Sequence, residues 1–184
     1  MTRRLASLLL LLCLCVPLSA GEVLHSQVRR DGDHFLLHLQ MRIDAPHGRV
    51  YRHLTDYARL DQLSNVIVRS RILEEGDNRQ RIEVISEGCV LMFCRQVTQV
   101  QIATTLGQGY IRLIDDPQHS DFQSGRTLWH IAPADDGTHV TLSADLQPGF
   151  WVPPVIGTAI FKHKLLNEST TLINNLEQQA RNAP

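Results

Sequence analysis

The sequence predicts an α+β fold in which a curved antiparallel sheet wraps around one long C-terminal helix, with two short helices inserted near the N-terminus. Three observations carry this expectation. Beyond the first twenty residues, most of the chain alternates apolar and polar positions with period two, the mark of half-buried strands. Short turns rich in Gly, Asp and Pro separate the alternating runs, so consecutive strands form an antiparallel meander. Only one long helical pattern is present, at the C-terminal end, and the face of the meander is the only large apolar surface that can cover its stripe.

The chain opens with a leader. Arg3 and Arg4 precede a leucine-rich core, Leu5 to Val16, and then Pro17, Leu18, Ser19 and Ala20, whose small side chain suits a cleavage position. Counted through Leu18 the core is about 14 residues long, short of the roughly 20 that span a bilayer as a helix. Residues 1–20 are therefore read as a signal peptide cleaved after Ala20, and residues 21–184 as one periplasmic or secreted domain. Cys13 and Cys15 each follow leucine, where lipoprotein processing usually wants a small residue. Removing 20 of the 184 residues leaves 164, enough for a domain with its own core. The leader takes two of the 18 basic residues and none of the 19 acidic ones, leaving a formal net charge of −3, which argues against a nucleic-acid partner. No further apolar run is long enough to cross a membrane, and no internal repeat is visible.

In the mature part, "EVLHSQVRRDGD" supplies a strand and an Asp-Gly turn. "HFLLHLQMRID" answers it with Phe35, Leu37, Leu39, Met41 and Ile43 on one face and His38, Gln40 and Arg42 on the other. Pro46 then opens a short helical region in which Val50, Leu54, Tyr57 and Leu60 recur at helical spacing. Strands are expected at Val66–Leu73, Gln80–Glu87, Arg95–Thr105, Tyr110–Asp115, Gly125–Ala132 and Thr138–Leu146. The last helix is expected from about Pro154 to Arg181, with Phe161, Leu165, Leu172 and Leu176 in its stripe, flanked by Leu166 and Ile173.

The segment "DAPHGRVYRHLTDYARL", Asp44 to Leu60, followed by "VIVRSRIL", Val66 to Leu73, resembles the START-like superfamily, also called SRPBCC. Within it the likeness is to the coenzyme Q-binding and polyketide cyclase/dehydrase branch. The matching positions are Ala45, Pro46, Val50, Tyr51, Leu54, Asp56, Tyr57, Ser70 and Leu73, and the likeness runs from about Val23 to Ala180. It implies the helix-grip fold and an apolar molecule held between sheet and helix; it implies a cavity, not a reaction. The leader, the N-terminal hairpin and the cysteine pair depart from the usual cytosolic members.

Little in the chain points to catalysis. Asp115, Asp116, His119 and Asp121 in "DDPQHSD" are acceptable ligands for a hard or borderline metal, but they are also what a surface turn needs, and no second cluster accompanies them. His34 and His38 share a face but lie about 13 Å apart along a strand, too far to share a metal. There is no Gly-x-Ser-x-Gly, and "GQG" at Gly107–Gly109 reads as a hairpin turn. A cyclase- or dehydratase-type enzyme would need one or two polar groups in an apolar cavity, for which His130, Tyr51, Tyr57 and Asp56 are candidates. Alternation allows either Trp129 or His130, not both, to face inward.

Cys89 and Cys94, the only cysteines after the leader, are expected to form a disulfide in an oxidising compartment, the alternative being two buried free thiols. Five residues of straight strand span about 16 Å against the roughly 4.4 to 6.8 Å between bridged Cα atoms, so a bridge requires a turn at "VLMF". "PGFWVPPVIG", Pro148 to Gly157, is stiff and unusually apolar for a loop, which makes it a plug or a cavity rim. The resulting expectation is a carrier for a hydrophobic small molecule of the lipid or isoprenoid quinone class. Trp129, Leu142, Phe161 and Leu165 are expected around the ligand, Phe150 and Trp151 at the rim, and Val90–Phe93 and Phe150–Ile156 as sites of transient membrane contact. No cofactor, metal or catalytic residue is assigned. The alternatives are an enzyme on the same scaffold and a structural or interaction module with a filled core.

Overall fold

The computed structural model describes residues 20–90, 93–152 and 157–182. The leader's apolar core, the middle of the "VLMF" tip and residues 153–156 of the proline-rich segment lie outside the described residues.

Eight strands form a single antiparallel sheet: β1 Glu22–Asp31, β2 His34–Ile43, β3 Ile67–Glu75, β4 Arg79–Val90, β5 Phe93–Gly107, β6 Tyr110–Asp115, β7 Phe122–Ala134 and β8 Gly137–Pro148. Their spatial order is β1-β2-β8-β7-β6-β5-β4-β3, so the last strand closes on the first hairpin and the β3–β8 meander follows in sequence order. α1 His47–Leu54 carries the chain from β2 to the far edge, and α2 Gly157–Asn182 lies across the concave face. The β1–β2 turn places Gly32 at its first loop position with φ of 58°, a conformation that glycine adopts without a Cβ penalty. "GQG" is likewise the β5–β6 turn, with positive φ at Gly107, Gln108 and Gly109.

One expectation is corrected. The helical spacing from Val50 to Leu60 does not continue as two helices. α1 stops at Leu54, where the Thr55 hydroxyl and amide both donate to the Tyr51 carbonyl, and the second short helix is only a three-residue 3₁₀ turn, Leu60–Gln62. Asp56 and Arg59 bridge the intervening turn at 2.6 Å.

The register stacks inward residues into rungs across the sheet. Met41, Val140 and Ile131 form one rung, and Leu39, Leu142, Trp129 and Ile111 the next. Leu37, Ala144, Thr127 and Leu113 follow, and then Phe35, Leu146 and Gly125, continued on β6 and β5 by Asp115 and Gln101. The first two rungs, with Val50 of α1 and Ile173, Leu176 and Ala180 of α2, form the packed core. α2 is therefore seated by its C-terminal half. Glu177, buried on that half, accepts hydrogen bonds from the amides of Gly21 (2.6 Å) and Asp44 (2.9 Å), tying the start of β1 and the end of β2 to the helix.

Candidate functional site

The site results from what the later rungs lack. In the third rung Ala144 and Thr127 stand next to the larger Leu142 and Trp129 of the second, and in the fourth Gly125 has no side chain. The N-terminal half of α2 passes over these positions with Phe161 and Leu165 only partly buried, as is Leu172 just beyond it. Between them lies a cavity of about 450 Å³, bordered by Leu37, Leu39, Ala144 and Leu146 on the sheet, Leu54, Tyr57 and Leu63 on the α1 side, and Leu165 and Leu172 on α2. Small residues opposite a helix whose packed core contacts lie in its far half leave volume that the core does not fill.

Trp129, Leu142, Phe161 and Leu165 all border this cavity. Trp129 therefore faces inward, and His130 points to the other face, where its ring stacks on Tyr110 at a centroid distance of 4.0 Å. Phe150 and Trp151 are not brought to the cavity. Phe122 pairs with Pro148 at the end of β8, so the chain leaves the sheet there, and Phe150 packs edge-on against Phe122 at 5.9 Å with the Arg95 guanidinium 4.6 Å from its ring centroid. Phe150 and Trp151 line a separate groove of about 290 Å³ with Arg30, Asp33 and Gln147. Phe35, at the edge of that groove, stacks on Phe161, at the edge of the cavity, at 4.3 Å. Trp151 is 79 % exposed.

Among the polar candidates, Tyr57 borders the cavity, and burial, helped by the nearby Tyr51, pushes its phenol up to about 12. Such a phenol is a hydrogen-bond donor at neutral pH rather than a base. Asp56 is held by Arg59, and Tyr51 packs against the core beside His47. His34 and His38 sit on the outer face, bonded to Asp145 (2.6 Å) and to the Ser143 hydroxyl (3.0 Å). The acidic cluster is dispersed: Asp116 pairs with Arg81 and His119, both at 2.8 Å, Asp121 accepts the Thr98 amide at 2.7 Å, and Asp115 turns inward. Among the described residues no three His, Cys, Asp or Glu side chains form a metal-binding group.

Sequence reasoning missed several polar residues at this site. Gln99, Gln101, Ser86 and Thr127 line the sheet side and Lys164, Glu168 and Ser169 the helix side. Glu168 accepts the Ser64 hydroxyl at 2.7 Å, linking α2 to the loop before β3. Asp115, only 6 % exposed, accepts from the Gln101 amide nitrogen at 2.6 Å and from that of Gln99 at 3.4 Å. Burial holds its carboxyl above the usual range, and the two amides only partly oppose this.

At the β4–β5 hairpin, Cys89 and Cys94 lie directly opposite each other in the register, so the chain does turn at "VLMF". Arg95, the next residue, reaches Phe150, which brings this hairpin and the proline-rich segment to the same end of the molecule.

The chain matches the model of a family described as polyketide cyclase/dehydrase and lipid transport over residues 43–167. No curated protein matches it. Solved structures resemble it at low identity. A STAR-related lipid transfer protein from Xanthomonas axonopodis is 16 % identical with a TM-score of 0.63, covering 89 % of this chain and 99 % of its own. A START superfamily protein from Mycobacterium smegmatis is 13 % identical with a TM-score of 0.61, covering 79 % and 97 %. The Zhui aromatase/cyclase from Streptomyces sp. R1128 is 15 % identical with a TM-score of 0.61, covering 84 % and 94 %. At these identities the likeness is one of fold.

Proposed function

Because the chain belongs to the polyketide cyclase/dehydrase and lipid transport family of the START-like superfamily, we propose that it is an exported carrier that holds one hydrophobic small molecule of the lipid or isoprenoid quinone class between sheet and α2. In this reading the leader is cleaved after Ala20, the mature chain works in the periplasm, and Cys89 and Cys94 are bridged. The observation that carries the proposal is the cavity: about 450 Å³, mostly apolar, within the range of small-molecule sites. Trp129, Leu142, Phe161 and Leu165 would contact the ligand. Phe150, Trp151 and the β4–β5 tip would touch the membrane from which the ligand is taken.

Delipidated protein titrated with a fluorescent fatty-acid or ubiquinone analogue should show saturable uptake of one molecule per chain. Failure to take up an apolar probe of any class would remove the carrier reading in favour of a structural or interaction module. A cyclase- or dehydratase-type enzyme is the second reading, favoured by the Tyr57 phenol at the cavity wall. Turnover of a candidate cyclic substrate, lost in Tyr57→Phe, would establish it.

A further inference from the structure

The cavity has a polar corner built into the sheet. Gln99 and Gln101 are successive inward residues of β5, and both amide nitrogens donate to Asp115, at 3.4 and 2.6 Å. Space for that carboxylate is made by Gly125: a Cβ there would stand 2.5 Å from the Asp115 Cγ. Among the described residues no cation pairs with Asp115, and the two amides are its side-chain partners. The amide nitrogens of both glutamines are turned toward Asp115, which leaves their carbonyl oxygens as acceptors. Among the described residues these oxygens have no protein partner, and both side chains border the cavity. A hydrocarbon placed against them leaves acceptors unpaired, at a cost in affinity, whereas a hydrogen-bond donor satisfies them.

Resting on the carrier reading, we propose that the ligand is an amphiphile whose buried end carries a hydrogen-bond donor, a hydroxyl or an amide N–H, received by Gln101 and Gln99, with Asp115 as the positioning residue. The test is competition for a bound apolar fluorophore, N-phenylnaphthylamine, by 1-decanol and by its methyl ether, which has the same chain and no donor. Wild type should bind the alcohol about tenfold more tightly, the equivalent of one satisfied acceptor. In Gln101→Leu the preference should fall to within about twofold while ether binding persists. Since that change strips Asp115 of its shorter bond, Gln99→Leu serves as a milder variant and should reduce the preference in the same direction. Equal binding of alcohol and ether by wild type, or a preference that survives both substitutions, overturns the donor assignment alone. Failure of the fluorophore, the alcohol and the ether alike to bind overturns the carrier reading together with it.

A second observation is independent of the cavity. Glu177 is 3 % exposed, and its nearest cation is Arg181 at 3.9 Å, while its Oε1 lies 2.6 Å from the Gly21 nitrogen. If the leader is cut after Ala20, that nitrogen becomes the terminal ammonium. We infer that cleavage converts an amide–carboxylate hydrogen bond into a partly buried ion pair that locks β1 onto α2. A glycine is needed for it, because a Cβ at Gly21 would approach the Arg42 carbonyl oxygen to 2.7 Å. Cleavage also removes the Ala20 carbonyl that accepts from Arg42 at 2.7 Å, but Arg42 keeps Glu22 at 3.3 Å and Asp136 at 3.4 Å. Two forms are to be compared by thermal melting, one beginning at Gly21 and one retaining Ala20, each with Glu177 and with Glu177→Gln. The Gly21 form should melt several degrees higher, and Glu177→Gln should abolish the difference. Equal melting of the two wild-type forms, or a difference that survives Glu177→Gln, overturns the lock. Intact mass of the exported protein separately reads where the leader is cut.

Discussion

Ala144→Leu tests whether the space under α2 is real, because the sign of its effect depends on it. Ala144 lies in the third rung between Leu37 and Thr127 and borders the cavity. Leucine there adds three carbon groups directed into unfilled volume. At about 0.8 kcal/mol per buried CH₂, the ligand-free protein could gain up to about 2.4 kcal/mol. Incomplete fit will reduce this, so a gain of about 1 to 2 kcal/mol is expected, a rise in Tm of roughly 2 to 8 °C for a domain of this size. Uptake of an apolar probe should fall at least about tenfold, since the added side chain occupies the ligand's place. If the interior were already filled, the same substitution would be overpacking and would cost roughly 1 to 3 kcal/mol. Thermal and urea unfolding followed by circular dichroism on delipidated protein, paired with probe titration, reads both effects. A destabilised variant, or a stabilised one that binds as before, refutes the assignment of this volume to a ligand.

Three further outcomes are expected. The Tyr57 phenol, moved from 10.0 to about 12 by burial, favours the folded state fully below pH 10 and loses that contribution, on the order of a few kcal/mol, as pH rises through 12. An alkaline absorbance titration should therefore show one of the three tyrosines ionising late, and Tyr57→Phe should remove that step. Gly21→Ala forces a side chain among Glu177, Ile173 and the Arg42 carbonyl, so it should lower stability by roughly 1 to 3 kcal/mol by denaturant melts; a neutral result would mean that β1 is not packed on α2. Thiol labelling of denatured, unreduced exported protein should find neither Cys89 nor Cys94 reactive, and two labelled thiols would exclude the bridge.

The strands were legible because one face of each is buried, so hydropathy alternates with the pleat; Tyr110–Asp115 agrees with the expectation residue for residue. Trp129, Leu142, Phe161 and Leu165 were legible for the same reason, as large apolar residues on inward positions beneath a single helix stripe. What alternation conceals is an inward position that is small or polar. Ala144 and Thr127, whose size makes the cavity, look like ordinary outward residues in a period-two pattern. In "TQVQIATT" the apolar positions Val100 and Ile102 read as the inner face, yet Gln99 and Gln101 line the cavity and Val100 is buried on the other side of the strand. Nor could composition tell which way an apolar loop faces. Phe150 and Trp151 read as cavity rim, whereas the exit of β8 at Pro148 carries them to Phe122 and Arg95 at the end of the sheet. The 3₁₀ turn at Leu60–Gln62 escaped because Tyr57 and Leu60 keep helical spacing while serving the cavity wall from a turn.

The central claim is that this fold carries a hydrophobic molecule, and mass spectrometry tests it most directly. Exported protein purified without detergent, then measured intact under native conditions and after organic extraction, should yield one non-covalent apolar species per chain, and that species should contain a hydroxyl or amide donor. Protein that is quantitatively empty when purified this way, and that takes up no apolar compound when incubated with a total lipid extract, would contradict the account.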